Sequence, residues 1–315
     1  MSTEKLGNYP FADDEKPARV HMEFGRHVQT LLEDPLFAHV DRDELFNYLS
    51  AHFVLAESFF LKEDEDRKKG KTNANLFYHH KGHAVYQTSY DTVTTFIALL
   101  AQDSQSASYL TVDGITAGII SAADHDSGYV LFAQDDENYA ARLPIHVQLG
   151  MEASKNILEQ IPTPAFLNKR KLKDFVYWGI HSTHFPQREE HIEEARRFSD
   201  TLDAKEAKEF DLVRLVVQLG DLGGQVARND YWENLKNLKK ELNCYKEGLG
   251  EELIGTDSEM LPKCKIFIET VVVPTVGKSA TELFGTGQNI FSLEWEKRAT
   301  IETAIKIPIS NPDIV

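Results

Sequence analysis

Apolar residues recur at three- and four-residue spacing along most of this chain, which is the period of an amphipathic or buried helix. Strict alternation, the signature of a half-buried strand, is rare. The segments with the clearest helical period are ELFNYLSAHFVLAESFFL, VYQTSYDTVTTFIALL, ASYLTVDGITAGIISAA, KLKDFVYWGIHSTHF, EFDLVRLVVQLGDLG and KIFIETVVVPTVGKSATELF. The pattern therefore predicts an all-α, multi-helix fold.

The stretches between these segments are short and polar, as in KEDEDRKKGKTNAN and QIPTPAF. None is long or rich enough in glycine and serine to act as a flexible linker between domains. We therefore expect one compact helical domain over residues 21–306, preceded by a flexible N-terminal arm at 1–20 and followed by a tail at 307–315.

Charge and composition limit the classes of partner. With 34 Lys and Arg against 50 Asp and Glu, the formal net charge of −16 opposes broad contact with nucleic acid or an anionic membrane. No apolar run approaches the roughly 20 residues of a spanning helix, and the N-terminus lacks a signal pattern. The two cysteines suggest neither a zinc motif nor a disulfide framework. We expect a cytoplasmic protein whose partner is a small anionic molecule. The sequence leaves its oligomeric state open.

Three histidines stand near the start of one predicted helix, in the sequence NLFYHHKGHAVYQTSYD. His79 and His83 are four residues apart, so they share a helix face and can address a common point. His80 then points elsewhere. An isolated pair with this spacing is more often exposed or part of a helix cap, so its meaning depends on the rest of the chain.

Two further segments carry compatible chemistry. SAADHDSG places His125 and Asp126 at the end of a helix of small residues, and LGDLGG places Asp221 at the end of a strongly apolar one. A carboxylate near a core is costly unless a positive group compensates it, and a metal ion would do so. Imidazoles and carboxylates bind divalent ions, and one Asp can bridge two ions roughly 3.5–4 Å apart.

The order His, His-Asp, Asp is similar to the ligand order of the HD metal-dependent phosphohydrolase superfamily. Within it, YHHKGHAVYQTSYD resembles the YHNxxHAxDV signature of the class I cyclic-nucleotide phosphodiesterase catalytic domain. IHSTHFPQREEHI, LGDLGG, FIETVVVPTVGKSATELF and SLEWEKRATI resemble later family motifs, in the expected order between about Leu45 and Ile301. The resemblance implies that His83, His125, Asp126 and Asp221 bind metal.

The same resemblance assigns His79 as the proton donor to the leaving oxygen. The chain also departs from the family. HDSGYVLFAQ lacks the second histidine of the family motif, and Pro144 replaces a glutamate. Cys264 stands where a glutamine grips the base, three residues before the motif phenylalanine, Phe267. Cys264 and Phe267 are therefore the candidate substrate-binding positions.

Two other histidines, His146 and His184, lie between the His-Asp pair and Asp221. Such intervening histidines are typical of HD proteins with fully ligated bimetal centres, so both are possible additional ligands or supporting residues. A single histidine on an apolar helix is more often a hydrogen-bonded core residue. The remaining histidines are predicted at the surface: His21, His27, His39, His52, His181 and His191.

These features together predict a metal-dependent phosphodiester hydrolase that uses two divalent ions, whether zinc, magnesium, manganese or iron. A 3′,5′-cyclic nucleotide is the preferred substrate by resemblance. Two alternatives stay open: an HD-type di-iron oxygenase that also uses His146 and His184, and a non-catalytic nucleotide-binding relative.

Overall fold

Helices make up the regular structure of the chain. A computed structural model describes residues 17–68, 82–101, 106–130, 145–185, 187–223 and 231–284, and within these ranges there is no strand. The all-α prediction is confirmed. The α-helices are α1 (Pro17–Leu32), α2 (Arg42–Lys68), α3 (Thr88–Ala101), α4 (Val112–Asp124), α5 (His146–Gln160), α6 (Lys169–His181), α7 (Glu189–Ser199), α8 (Ala204–Gln218), α9 (Tyr231–Leu249), α10 (Asp257–Phe267) and α11 (Val273–Phe284).

The predicted domain limits fall partly outside this description. Helix α1 begins inside the segment predicted as a flexible arm, and residues 1–16 and 307–315 are not among those described. No described helix is long and apolar enough to cross a membrane.

Three short π-helical segments extend the α-helices. Gly82–Gln87 leads into α3, Leu219–Gly223 follows α8, and Ile268–Val272 joins α10 to α11. π-Helical turns are rare and occur frequently at functional sites. The first contains His83, the second contains Asp221, and the third begins directly after Phe267, so each adjoins a residue that the sequence singles out.

Helix α4 is the centre of the fold and is buried along nearly its whole length. Its small residues let neighbouring helices approach closely. A methyl group on Gly118 would lie 2.7 Å from the Phe96 ring of α3, and one on Gly179 of α6 would meet the Ser121 hydroxyl. Substituting either glycine by alanine would force these helices apart.

Helices α4, α6 and α8 run in the same direction. At their N-terminal ends, the buried carboxylate of Glu209 accepts a hydrogen bond from Thr111 N–H at 2.8 Å and pairs with Lys171 Nζ at 2.5 Å. Towards their C-terminal ends, Ser182 Oγ donates to the carbonyl of Arg214 at 3.2 Å. Three helix C-termini therefore lie at one end of the bundle, where their dipoles favour cations.

Candidate metal centre

The structure brings together three of the predicted metal ligands at that end of the bundle. His125 Nε2 lies 3.1 Å from Asp126 Oδ2 and 3.5 Å from Asp221 Oδ1. All three side chains are buried, with exposures of 2%, 4% and 5%. His125 and Asp126 directly follow α4, and Asp221 lies in the π segment that follows α8. The parallel course of these helices therefore assembles residues that are almost 100 positions apart.

The orientation of His125 suits metal binding. Its Nδ1 lies 2.9 Å from the carbonyl oxygen of Ala122, and because a carbonyl only accepts, Nδ1 carries the proton. In the neutral ring, Nε2 then presents its lone pair to the two carboxylates. Lone pair and carboxylates repel one another unless a cation lies between them, so the arrangement calls for a proton or a metal ion at Nε2.

Electrostatics at His125 support the same conclusion. Burial lowers the pKa of its imidazole, but the adjacent carboxylates of Asp126 and Asp221 outweigh burial and hold the pKa well above 6.5. A divalent ion in place of the proton would set two positive charges beside the two carboxylates.

The distances are those of atoms that can share an ion. Ligand atoms about 2.1 Å from one metal lie roughly 3 Å apart when they occupy neighbouring coordination positions. The residues therefore fit a divalent ion in donor type, spacing and burial. Within the described part of the chain, no group of three or more His, Cys, Asp or Glu residues is already arranged to hold an ion.

The fourth predicted ligand is only partly described. His83 belongs to the π segment Gly82–Gln87, but its side chain lies outside the described residues, as do His79 and His80 entirely. The Asp221 segment packs against the start of α3, which directly follows the His83 segment, because a methyl group on Gly220 would lie 3.1 Å from the carbonyl of Thr88.

A layer of buried polar residues supports the His-Asp turn from behind. His52 Nε2 of α2 lies 2.9 Å from Asp124 Oδ2, and Ser154 of α5 donates a hydrogen bond to the same oxygen. The prediction that His52 lies at the surface is wrong, since its exposure is 0%. The sequence gives one usable signal for this layer, which is that Asp124 ends a helix of otherwise small and apolar residues.

The two additional candidate ligands occupy different surroundings. His146 begins α5, and its ring stacks on Tyr129 with the ring centres 4.5 Å apart. Its backbone lies close to Asp126, because a methyl group on Gly128 would collide with the His146 carbonyl. The His184 ring instead packs against His181 and His191. His181 is 3% exposed, so its predicted surface position is also wrong.

The candidate substrate-binding residues lie on α10. Both Cys264 and Phe267 belong to this helix, but their side chains are outside the described set. A cavity of about 1010 Å³ is lined by α8, by the π segment after α10 and by α11. Its wall includes the basic side chains Lys208, Arg214 and Lys278 together with the carboxylates of Asp211 and Glu282, so its charges largely balance. Its lining does not include His125, Asp126 or Asp221, so the cavity adjoins the end of α8 without containing the metal centre.

No protein-family model matches this chain, and no curated protein matches it with significance. The resemblance to cyclic-nucleotide phosphodiesterases therefore rests on the quoted motifs, and the function is argued below from the geometry of the centre.

Proposed function

We propose that this protein is a metal-dependent phosphodiester hydrolase. The observation that carries the proposal is the buried convergence of His125 Nε2 with the carboxylates of Asp126 and Asp221. Such a set of one imidazole and two carboxylates is typical of centres that hold divalent ions for hydrolysis. The ordered motifs of the sequence supply the substrate class, a 3′,5′-cyclic nucleotide, and we propose the cytoplasm as the location.

Four residues would hold the ions. His125, Asp126 and Asp221 are joined by His83 on the basis of the sequence resemblance, and its π segment leads into α3, the helix that packs against the Asp221 segment. When bound, a pair of divalent ions supplies the Lewis acid that polarises the phosphoryl group and the hydrolytic nucleophile. The ligand set suits zinc, magnesium, manganese and iron, because imidazole and carboxylate ligands accept all four.

The side chains around the centre have separate tasks. Ala122 O holds Nδ1–H of His125, so that Nε2 faces the carboxylates. His52 and Ser154 fix Asp124, the residue directly before His125, and so limit the movement of the His-Asp turn. In this proposal His79 donates a proton to the departing oxygen, because an alkoxide leaves poorly without one.

The test is metal analysis combined with hydrolysis assays on protein without an affinity tag. Bis(p-nitrophenyl) phosphate, cyclic nucleotides and cyclic dinucleotides are the substrates. We expect hydrolysis that chelation abolishes and that His125→Gln and Asp126→Asn each remove. Asp174→Asn, at a partly exposed carboxylate of α6, is the matched control and should retain full activity.

The outcomes separate the alternatives. Bound metal and nucleotide binding without turnover would identify a non-catalytic relative, a result that the replacements at Pro144 and Cys264 would explain. Bound iron with oxygen consumption and no hydrolysis would identify an oxygenase. Hydrolysis that persists in His125→Gln would contradict the assignment of this centre.

A further inference from the structure

A second group of histidines lies where α6 ends and α7 begins. The ring centres of His181, His184 and His191 are separated by 5.0 Å, 5.5 Å and 4.2 Å. His181 is the last residue of α6, His184 lies in the connection, and His191 is in the first turn of α7. None of these residues belongs to the His125 centre described above.

Two of these separations match those of imidazoles around one ion. A nitrogen ligand lies about 2.1 Å from zinc, so the centre of its ring lies roughly 3.2 Å from the metal. Two such rings at a tetrahedral angle then have centres about 5 Å apart. His181 has this spacing from both His184 and His191, whereas the His184 and His191 rings are closer, at 4.2 Å, and must separate slightly to share an ion.

In the rings of His181 and His184, one nitrogen donates a hydrogen bond and the other keeps a lone pair that can bind a metal. His181 Nε2 lies 3.3 Å from Glu194 Oε2, and His184 Nδ1 lies 3.0 Å from the carbonyl of His181. Since the acceptors are a carboxylate and a carbonyl, each of these nitrogens carries the proton. Lone pairs therefore remain on His181 Nδ1 and His184 Nε2. A carboxylate that accepts a hydrogen bond from a metal-binding histidine, as Glu194 does from His181, commonly orients that histidine in metal sites.

The buried nitrogens of the cluster point to a missing ligand. His181 Nδ1 and His191 Nδ1 are both buried, and neither has a hydrogen-bond partner among the described residues. Burial lowers the pKa of His181 to about 3, and it also lowers the pKa of His184. Neutral rings are the form that binds metal. An uncompensated buried nitrogen costs stability, and an ion would remove that cost.

We propose that His181, His184 and His191 form a second metal site, which binds zinc and ties the end of α6 to the start of α7. The three nitrogens do not yet meet at one point, consistent with the absence of a ready-made metal group among the described residues. Side-chain rotation of His184 and His191, both partly exposed, completes the site. We assign this site a structural role, which is to hold α7 against α6, because the residues of α7 are not among the ligands assigned to the His125 centre.

The test uses zinc and cobalt binding to the full chain without a tag, in an Asp126→Asn, Asp221→Asn background that disables the first centre. Cobalt bound by three histidines gives visible absorption, and it quenches Trp178, whose ring lies 4.8 Å from His181. We expect one saturable site. His184→Gln and His191→Gln should each weaken binding at least roughly tenfold. His39→Gln, at an exposed histidine outside the cluster, should not change it.

A second measurement guards against a background that does not fold. In the parent chain, His191→Gln should lower the bound zinc by one ion. The proposal is overturned if no saturable zinc or cobalt binding occurs in the folded background. It is equally overturned if the His184 and His191 variants bind like the parent, or if His39→Gln loses as much affinity as they do.

Discussion

Asp221→Asn is the sharpest test of the His125 centre, because it removes one charge while keeping the shape of the side chain. Asp221 Oδ1 lies 3.5 Å from His125 Nε2, and the residue is 5% exposed. Without metal, the variant still has Asp126 to balance a charged His125. The metal-free protein should therefore unfold at nearly the same temperature as the parent. With metal, the variant lacks one of the ligands of the ion.

The size of the effect follows from the loss of one ligand. Residues that only support a metal ligand are worth about 10- to 100-fold in metal affinity, and a direct carboxylate ligand is worth at least as much. We therefore expect metal binding about 100-fold weaker, or about 2.7 kcal/mol. At a metal concentration 100 times the parent dissociation constant, stabilisation by metal then falls from about 2.7 to about 0.4 kcal/mol.

The assay is thermal unfolding with saturating metal and with a chelator. For a chain of 315 residues, the parent should gain about 4 °C on adding metal and the variant less than about 1 °C. Asp174→Asn on α6 serves as the control and should keep the parent response. If metal raises the unfolding temperature of Asp221→Asn as much as that of the parent, Asp221 is not a ligand.

Three other predictions address catalysis, pH dependence and the fold. His79→Ala should keep its metal yet lose roughly 10²–10⁴-fold in turnover of a cyclic nucleotide, and less on a p-nitrophenyl ester that needs no proton donor, whereas His83→Ala should lose metal and both activities. If His79→Ala turns over the cyclic nucleotide as fast as the parent, His79 is not the proton donor. The pKa of His181 is about 3 when folded and 6.5 ordinarily, so below pH 6.5 the unfolded chain binds a proton that the folded one does not. The free energy of unfolding in chelator should thus fall from about pH 6.5 towards pH 3. Urea titrations at several pH values should show a shallower fall for His181→Gln. The same pH dependence in the variant and the parent would contradict this prediction. Glu209→Gln should destabilise the fold by about 3 kcal/mol in urea unfolding, because Lys171 loses its buried partner, and a change under 1 kcal/mol would show that this ion pair does not hold α4, α6 and α8 together.

The sequence by itself determined the fold class and singled out three residues that the structure brings together. Helical periodicity is a local property of the sequence, so it can be recognised without knowing which helices pack together. His125, Asp126 and Asp221 could also be recognised, because a carboxylate at the end of an apolar helix requires a positive group nearby wherever that helix packs. The convergence of these three residues agrees with the order of the motifs.

Only the tertiary structure decided which polar residues are buried and with what partner. His52 reads as a surface residue because its partner, Asp124, lies 72 positions away on another helix. His181 and His191 form a cluster only because α7 turns back against the end of α6. Periodicity records the spacing of residues along one helix, whereas the pairing of buried polar groups depends on the direction and neighbours of every helix. The parallel course of α4, α6 and α8, which collects three negative helix ends around both histidine sites, is a property of that packing alone.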